Sequence, residues 1–302
     1  MTGSRPAGPA DSASRVSLER LWDRDSGQST SAASSARGGR FPAPLRVAYG
    51  GELWIPLHRD RPTVIANFVS TLDGVVAFDT DGSSGGGEVS GFFDPDRFVM
   101  GLLRALADVV LVGAGTVRAA PTHEWTARKV HPASAALYAT WRARVGVRRP
   151  QPTTIVVTAR GELDPDHPGL SAPDVPVIVA TTKAGAKRLE SARLAPNVRV
   201  EVAGSRDRVA PARLLEIAGS AGAGLVLCEG GPHLAGDLVG EGLLDEVFLT
   251  VAPQIAGRAD RTPRLGFVAG TAFSIADAPW ADMVSVHRAD QHLFLRYQVD
   301  RP

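Results

Sequence analysis

Val109-Val110-Leu111-Val112-Gly113-Ala114-Gly115-Thr116-Val117-Arg118 begins with four large aliphatic residues and ends with two glycines, a hydroxyl and a cation. Four such side chains in succession leave no polar face, as a parallel strand covered on both sides requires. The glycines let the backbone approach a ligand closely, and N–H groups at a strand end can cradle an anion. Gly113, Gly115, Thr116 and Arg118 are therefore candidate contacts for a pyrophosphate, with an ordinary turn as the competing reading. The spacing is not the six-residue glycine fingerprint of dinucleotide-binding folds.

A second run follows the same pattern. Leu225-Val226-Leu227-Cys228-Glu229-Gly230-Gly231-Pro232-His233-Leu234 is a buried strand, a carboxylate, a glycine pair and a proline that starts a helix. The free N–H groups of that helix start face the loop, so Gly230, Gly231 and Pro232 form the better anion site of the two. Glu229 stands at the strand end, where a carboxylate can act as acid, base or orienting acceptor, against a solvated turn residue as the bland alternative. Cys228 lies on the strand among apolar neighbours and reads as an inert core residue.

Outward from these runs the chain alternates strands with helices. Thr63–Val69, Thr154–Thr158, Val175–Ala180 and Val198–Val202 read as further buried strands, and helices are expected from Asp94 to Leu106 and near 133–145, 182–194, 211–220 and 232–240. Asp94-Pro95 supplies a cap and a first-turn proline, and Phe98, Leu102 and Leu106 recur on one face. After Asp245 only strands are expected, at 246–253, 272–278, 283–288 and 292–299. The predicted architecture is α/β: a mainly parallel sheet with helices on both faces and antiparallel C-terminal strands.

In such sheets ligands bind beyond the carboxyl ends of the strands. Asn67 interrupts an apolar strand there and needs a partner, either backbone or ligand, because an unpaired buried amide costs about 1–3 kcal/mol. Thr158 with Arg160, and Thr181 with Thr182 and Lys183, end two further strands; the first pair could take an adenosine 2′-phosphate, with a solvated Arg and helix capping as the default readings. Asp73-Gly74 is by itself an ordinary turn pair. His123, Glu124 and Trp125 are weaker pocket candidates, and Ser83–Gly87 reads as a linker or a mobile loop.

Composition narrows the function. The chain has 302 residues with 33 Lys plus Arg against 32 Asp plus Glu, a net charge of +1, which gives no footprint for nucleic acid or an anionic membrane. Its single Cys excludes an internal disulfide and a Cys-based metal centre, and no His spacing suggests a metal site. No run reaches the eighteen or so apolar residues of a membrane span, so a soluble, unexported, cytoplasmic protein is expected. Residues 1–44 are read as an extension, disordered or loosely docked, because the Ser, Ala, Gly and Arg bias of 26–39 cannot offset ordering entropy; a short helix is expected at 17–23. Residues 45–302 are read as one domain.

Taken together, Ser70-Thr71-Leu72-Asp73-Gly74, Leu103-Arg104-Ala105-Leu106-Ala107-Asp108, Gly113-Ala114-Gly115-Thr116-Val117-Arg118, Glu229-Gly230-Gly231-Pro232, and Leu244-Asp245-Glu246 followed by Ala252-Pro253 resemble the pyrimidine reductase domain of bacterial riboflavin biosynthesis. Asn67 and Asp96-Arg97-Phe98 further resemble its single-domain actinobacterial branch. The resemblance implies a dihydrofolate-reductase-like fold, a homodimer, NADPH as cofactor, and reduction of the ribosyl C1′ of a diaminopyrimidinone or aminouracil ribosyl phosphate to the ribityl product. It puts Asn67, Gly113, Gly115, Thr116, Arg118, Thr158, Thr181 and the Gly230-Gly231-Pro232 turn on the cofactor. It puts Asp73 and Glu229 at the reacting centre as catalytic residues, and Arg104, Ser90 and Gly91 on the substrate, Arg104 at its phosphate. Two departures stand out: Val75 follows Asp-Gly where the family commonly has Lys, and Ala119-Ala120 precede Pro121 where it often has acids. A pteridine, dihydrofolate or specialised-metabolite reductase, and a catalytically inactive nucleotide-binding homologue, are the alternatives.

Overall fold

The computed structural model describes residues 16–24, 36–78, 86–205, 207–259 and 264–300. Thirteen strands are found among them: β1 (Glu19–Asp23), β2 (Ala36–Gly39), β3 (Leu53–Pro56), β4 (Thr63–Ser70), β5 (Val109–Gly113), β6 (Thr153–Thr158), β7 (Val177–Thr182), β8 (Val198–Ser205), β9 (Arg208–Val209), β10 (Leu225–Cys228), β11 (Glu246–Val251), β12 (Ala281–Ala289) and β13 (His292–Val299). Eleven of them make one sheet in the order β1-β12-β13-β11-β4-β10-β5-β6-β7-β8-β9, and β2 pairs with β3 separately. From β11 to β8 every neighbouring pair is parallel, whereas β13, β12 and β1 join antiparallel.

The helices are α1 (Ala43–Tyr49), α2 (Gly86–Ser90), α3 (Asp94–Leu106), α4 (Ala114–Ala119), α5 (Ala127–Val130), α6 (Ala135–Arg144), α7 (Pro168–Ser171), α8 (Lys183–Leu189), α9 (Pro211–Ser220) and α10 (Pro232–Gly240). They cover both faces of the sheet. Along β4, Ile65 packs into one apolar cluster with Phe98, Leu102 and Leu106 of α3, while Val64 and Ala66 pack into another with Leu214, Leu215 and Leu238 of α9 and α10. This division is why the parallel strands read as unbroken apolar runs. No helix among the described residues is long and apolar enough to cross a membrane.

The chain order explains where a crevice forms. From β4 the chain builds β5, β6, β7 and β8 outward, then returns to insert β10 between β4 and β5 before β11 is laid on the other side of β4. The carboxyl ends of β4, β10 and β5 are thus the place where the connections part, the usual position of a ligand cleft in open α/β sheets.

Three expectations need correction. The helix expected at 17–23 is instead β1, which pairs with β12 through Glu19↔Arg288 and Trp22↔Val286. Three apolar side chains are too few to settle a periodicity, and the unpaired edge of β12 supplies a ladder that a lone short helix cannot match. Parts of the 1–44 extension are docked: Val16, Leu18 and Phe41 are buried, and Phe41 packs edge-on against Trp141 at 4.6 Å. Ala36–Gly39, within the stretch expected to be disordered, forms β2, whereas 26–35 lie outside the described residues. The strand expected at 272–278 is a turn, because the Ser274 hydroxyl donates to Asp277 Oδ2 (2.6 Å) and accepts from its N–H, drawing the backbone away from a ladder. Most of 83–87 likewise lies outside the described residues, Gly86 and Gly87 opening α2.

Candidate active site

The two glycine turns meet. Gly113 ends β5, Glu229 and Gly230 follow β10, and the strands are direct parallel neighbours with Cys228 opposite Leu111. A side chain at residue 230 would force the two turns apart: a Cβ there would lie 2.3 Å from Gly113 N and 2.4 Å from Val112 Cα, both backbone atoms. Gly231 N–H then donates to Thr116 Oγ1 at 2.9 Å, tying the start of α10 to α4. Thr116 remains able to donate its own O–H. By contrast a Cβ at Gly113 or Gly115 would meet nothing within 4 Å. Their backbone faces open space, with Arg118 exposed at the end of α4. The result is a floor of backbone with room above it, flanked by the helix start at Pro232, an arrangement suited to the pyrophosphate of a dinucleotide.

Glu229 does not stand free in this crevice. Its carboxylate takes Arg104 Nη2 at 2.6 Å and Arg104 Nε at 3.0 Å to each oxygen. Arg104, on α3, is fully buried and gives Nη1 to the carbonyls of Glu124 (3.3 Å) and Thr126 (3.2 Å). These five contacts engage four of the five guanidinium N–H groups of a side chain that is 1% exposed, so Arg104 is built into the floor of the site rather than turned to a substrate phosphate. Glu124 in turn accepts from Thr126 Oγ1 (2.7 Å) and Arg128 Nη2 (2.9 Å). His123, next in line, is pushed down to about 3 by burial and by the Arg104 charge, and is a neutral ring at physiological pH. Trp125 is a core residue rather than a pocket wall.

Asp73, after β4, is also engaged. Its carboxylate accepts from Thr71 Oγ1 at 2.6 Å and from the N–H groups of Ala256 (3.1 Å) and Gly257 (2.8 Å), and its carbonyl accepts from Arg258 Nη1 at 2.7 Å. The Thr71 bond, then that from Ala256, hold the carboxyl well below the usual carboxylate range. An acid so held is ionised at neutral pH and gives no proton; Asp73 fastens the loop after β11 across the end of β4. Val75 is fully buried and donates its N–H to Thr71 Oγ1 at 3.0 Å, so the position that departs from the family pattern faces the interior.

The remaining candidates divide. Ser90 is buried, and Gly91 turns the chain outward with φ +66°. Asn67 is buried on the α3 side of β4, lining a hollow with Thr250, Val99 and Phe248, rather than at the glycine turns. Thr158 is buried, and its hydroxyl accepts from Gly161 N at 3.1 Å. Thr181 is fully buried beneath Gly185, where an added Cβ would strike its Oγ1, so it touches no ligand; Thr182, beside it, caps α8 by accepting from Gly185 N. Exposed Arg160 and Lys183 are the cations at these two strand ends. Cys228 is a buried thiol pushed up to about 12 by burial, inert as read.

One acid, quoted above only as part of the Asp96-Arg97-Phe98 landmark, was given no site role from the sequence. Asp96, in the first turn of α3, is 5% exposed and lies beside the hydroxyls of Thr250 and Ser90, the latter donating to Gly87 O at 3.2 Å. Burial raises its carboxyl to about 6. A first-turn Asp ordinarily reads as a complement to the helix dipole, and the Thr250 beside it lies on a strand more than 150 residues further along the chain.

The sequence profile of the RibD C-terminal domain family matches residues 62–272. The 2,5-diamino-6-ribosylamino-4(3H)-pyrimidinone 5′-phosphate reductase of Methanothermobacter thermautotrophicus is 32% identical over 200 residues, covering 66% of this chain and 82% of that protein. Among solved structures, RibD of Acinetobacter baumannii superposes with a TM-score of 0.57 at 21% identity, over 80% of this chain and 59% of its own. The present chain therefore spans under two thirds of that protein. A pyrimidine reductase-like protein of Corynebacterium diphtheriae superposes with a TM-score of 0.59 at 18% identity, over 80% of this chain and 93% of its own. The solved structures share the α/β fold described above, and the profile spans both glycine turns, Asp73, Asp96, Arg104 and Glu229: the chain belongs to the RibD C-terminal domain family of reductases.

Proposed function

We propose that this protein is an NADPH-dependent reductase that converts the ribosyl group of a phosphorylated ribosylaminopyrimidine to ribityl, a step of riboflavin biosynthesis. The observation that carries the reading is the joined pair of glycine turns, in which a side chain at residue 230 would force the turns apart and Gly113 and Gly115 lie open above it. The residues fit a dinucleotide: N–H groups of the two turns, Thr116 and the start of α10 for its pyrophosphate, and exposed Arg118 beside them. Exposed Arg160 and Lys183, at the ends of β6 and β7, support a contact to the adenosine 2′-phosphate, the feature that distinguishes NADPH from NADH. When bound, the nicotinamide supplies the hydride for reduction at C1′.

With Arg104 engaged by Glu229, the substrate 5′-phosphate falls to exposed Arg258 beside Asp73-Gly74, and to Arg97, whose guanidinium lies 5.4 Å from the Phe92 ring centre. The antiparallel strands also carry an apolar outer face of Met283, Val286, Leu293, Leu295 and Tyr297 with Trp22 beside them, several of them exposed. Such a face suits a second copy of the chain, giving a homodimer, which sedimentation equilibrium of the native chain and a Leu295→Glu variant would test.

The function is tested by following NADPH absorbance with 2,5-diamino-6-ribosylamino-4(3H)-pyrimidinone 5′-phosphate as substrate, with the uracil analogue and dihydrofolate in parallel. Substrate-dependent oxidation of NADPH by either pyrimidine supports the reading. Turnover of dihydrofolate alone moves the enzyme to pteridines, and NADPH binding without any turnover identifies a nucleotide-binding homologue.

A further inference from the structure

Every buried carboxylate of the described chain but one has an arginine. Glu229 has Arg104 at 2.6 Å, Asp245 has Arg61 at 2.5 Å, and Glu246 has Arg296 at 2.8 Å. Asp96 is as buried as these, yet among the described residues it forms no ion pair; its partners are two hydroxyls, Thr250 of β11 and Ser90 at the end of α2. A buried carboxyl without a cation is costly when ionised, and a fold that supplies arginine elsewhere has left it in a state that accepts and releases a proton easily.

Its place is the crevice. Thr250 lies opposite Val69 across the β11–β4 ladder, and a Cβ at Gly86 of α2 would sit 3.1 Å from the Val69 side chain. Asp96 therefore stands at the carboxyl ends of β4 and β11, one strand from β10 and near enough to Glu229 to feel its charge. Of the three acids around these strand ends, Asp73 is fixed as an anion by Thr71, Ala256 and Gly257, and Glu229 is neutralised by Arg104.

We propose that Asp96 is the catalytic acid that protonates the substrate, held by Thr250 and Ser90. The proposal rests on the reductase reading above. Reduction of an open-chain C1′=N bond adds a hydride at carbon, taken from the reduced nicotinamide dinucleotide, and a proton at nitrogen. Asp96 gives that proton, its O–H bond breaking as the N–H bond forms, and the resulting carboxylate recovers a proton from water.

The charged groups facing Asp96 are few. Arg97 on its own helix lowers its carboxyl and Glu229 raises it, while burial outweighs both. His292 of β13 reaches the same corner through Ser90 O at 3.1 Å, and burial lowers its ring below the ordinary value. Asp94 of the same helix turn faces His131 at 3.4 Å instead.

The test uses the full chain and its Asp96→Asn variant, with Asp96→Glu as the conservative control. Two readouts are taken. The first, without cofactor or substrate, is carboxyl carbon NMR: the native chain should show an Asp signal titrating near pH 6 that the Asn variant lacks. The second is the pH profile of kcat: native activity should fall as pH rises through about 6, and the Asn variant should lose roughly 10²–10³-fold in kcat at little cost in KM or NADPH affinity, with no such limb and partial recovery in the Glu variant. An Asn variant keeping the native kcat and pH limb, or a native spectrum with no Asp titrating above the ordinary range, overturns the proposal. A native chain that turns over no substrate overturns the reductase reading and the proposal with it, and is distinguished from the failure of Asp96 alone by the inactivity of the native chain itself.

Discussion

Arg104→Met separates a ligand-binding arginine from one that holds the fold. Methionine keeps the apolar stem inside the core but removes the two N–H groups that face Glu229, Nη2 at 2.6 Å and Nε shared between both oxygens at 3.0 Å, and two more bonded to the carbonyls of Glu124 and Thr126. Both side chains are almost fully buried, 2% and 5% exposed, so water does not replace what is lost. Deleting one partner of such a pair costs about 3–5 kcal/mol, chiefly because the other charge stays buried alone. For a domain of this size each kcal/mol lowers Tm by roughly 2–4 °C, so a fall of roughly 6–20 °C is expected. Arg104→Met combined with Glu229→Gln leaves no stranded charge and should regain several degrees over the single variant, a coupling visible in a double-mutant cycle. Scanning calorimetry at pH 7 on the native chain, both single variants and the double variant measures this. A single variant melting within about 2 °C of the native chain, with KM raised for the phosphorylated pyrimidine, would refute the structural role and return Arg104 to the substrate phosphate.

Other consequences follow from the same site. Gly230→Ala forces a methyl into the backbone of Val112 and Gly113; it should cost about 1–3 kcal/mol in thermal unfolding and abolish NADPH binding by titration. Thr116→Val leaves the Gly231 N–H without its acceptor, about 1–3 kcal/mol if that group stays buried, and should weaken NADPH binding by calorimetry while the pyrimidine KM holds. Asp73→Asn should speed hydrogen exchange at the Ala256 and Gly257 amides. Because the folded Asp73 carboxyl lies below its unfolded value, its stabilisation is complete above the ordinary carboxylate range and is lost only as pH falls through the folded value, so native protection at both amides should persist at about pH 4. Cys228, a buried thiol pushed up to about 12, should resist iodoacetamide at pH 8 until denaturant is added.

The parts of the fold legible in sequence are those where local composition and final environment agree. β5, β10 and β7 are buried on both faces and read as such, and the two glycine turns announced themselves because nothing else follows an apolar run in that way. Roles set by distant partners were illegible. Arg104 read as a cation for phosphate, since its acceptor Glu229 lies 125 residues further on and is brought beside it only when β10 slips between β4 and β5. Thr181 and Thr182 are adjacent hydroxyls at a strand end, and nothing in the sequence tells which one points down into the core beneath Gly185 and which caps α8. β1 was missed for a similar reason: Leu18 is buried and Leu21 and Trp22 are exposed, a pattern that depends on an edge of β12 formed by the last part of the chain.

Val75 joins these observations. The residue after Asp73-Gly74 is fully buried here, and its N–H bonds to the same Thr71 hydroxyl that donates to Asp73. A lysine in that position would need its ammonium carried out of the core or paired within it, and the neighbouring carboxylate is already occupied by Thr71, Ala256 and Gly257. The apolar side chain is therefore consistent with an Asp73 that anchors a loop rather than one tuned by a cation for catalysis. Ala119 and Ala120 stand where the family often places acids before Pro121, and Asp96 is the buried acid at the strand ends that forms no ion pair among the described residues. With Asp73 held as an anion by its loop and Glu229 paired with Arg104, the buried carboxyl of Asp96 beside Ser90 and Thr250 is the acid to which we assign proton transfer.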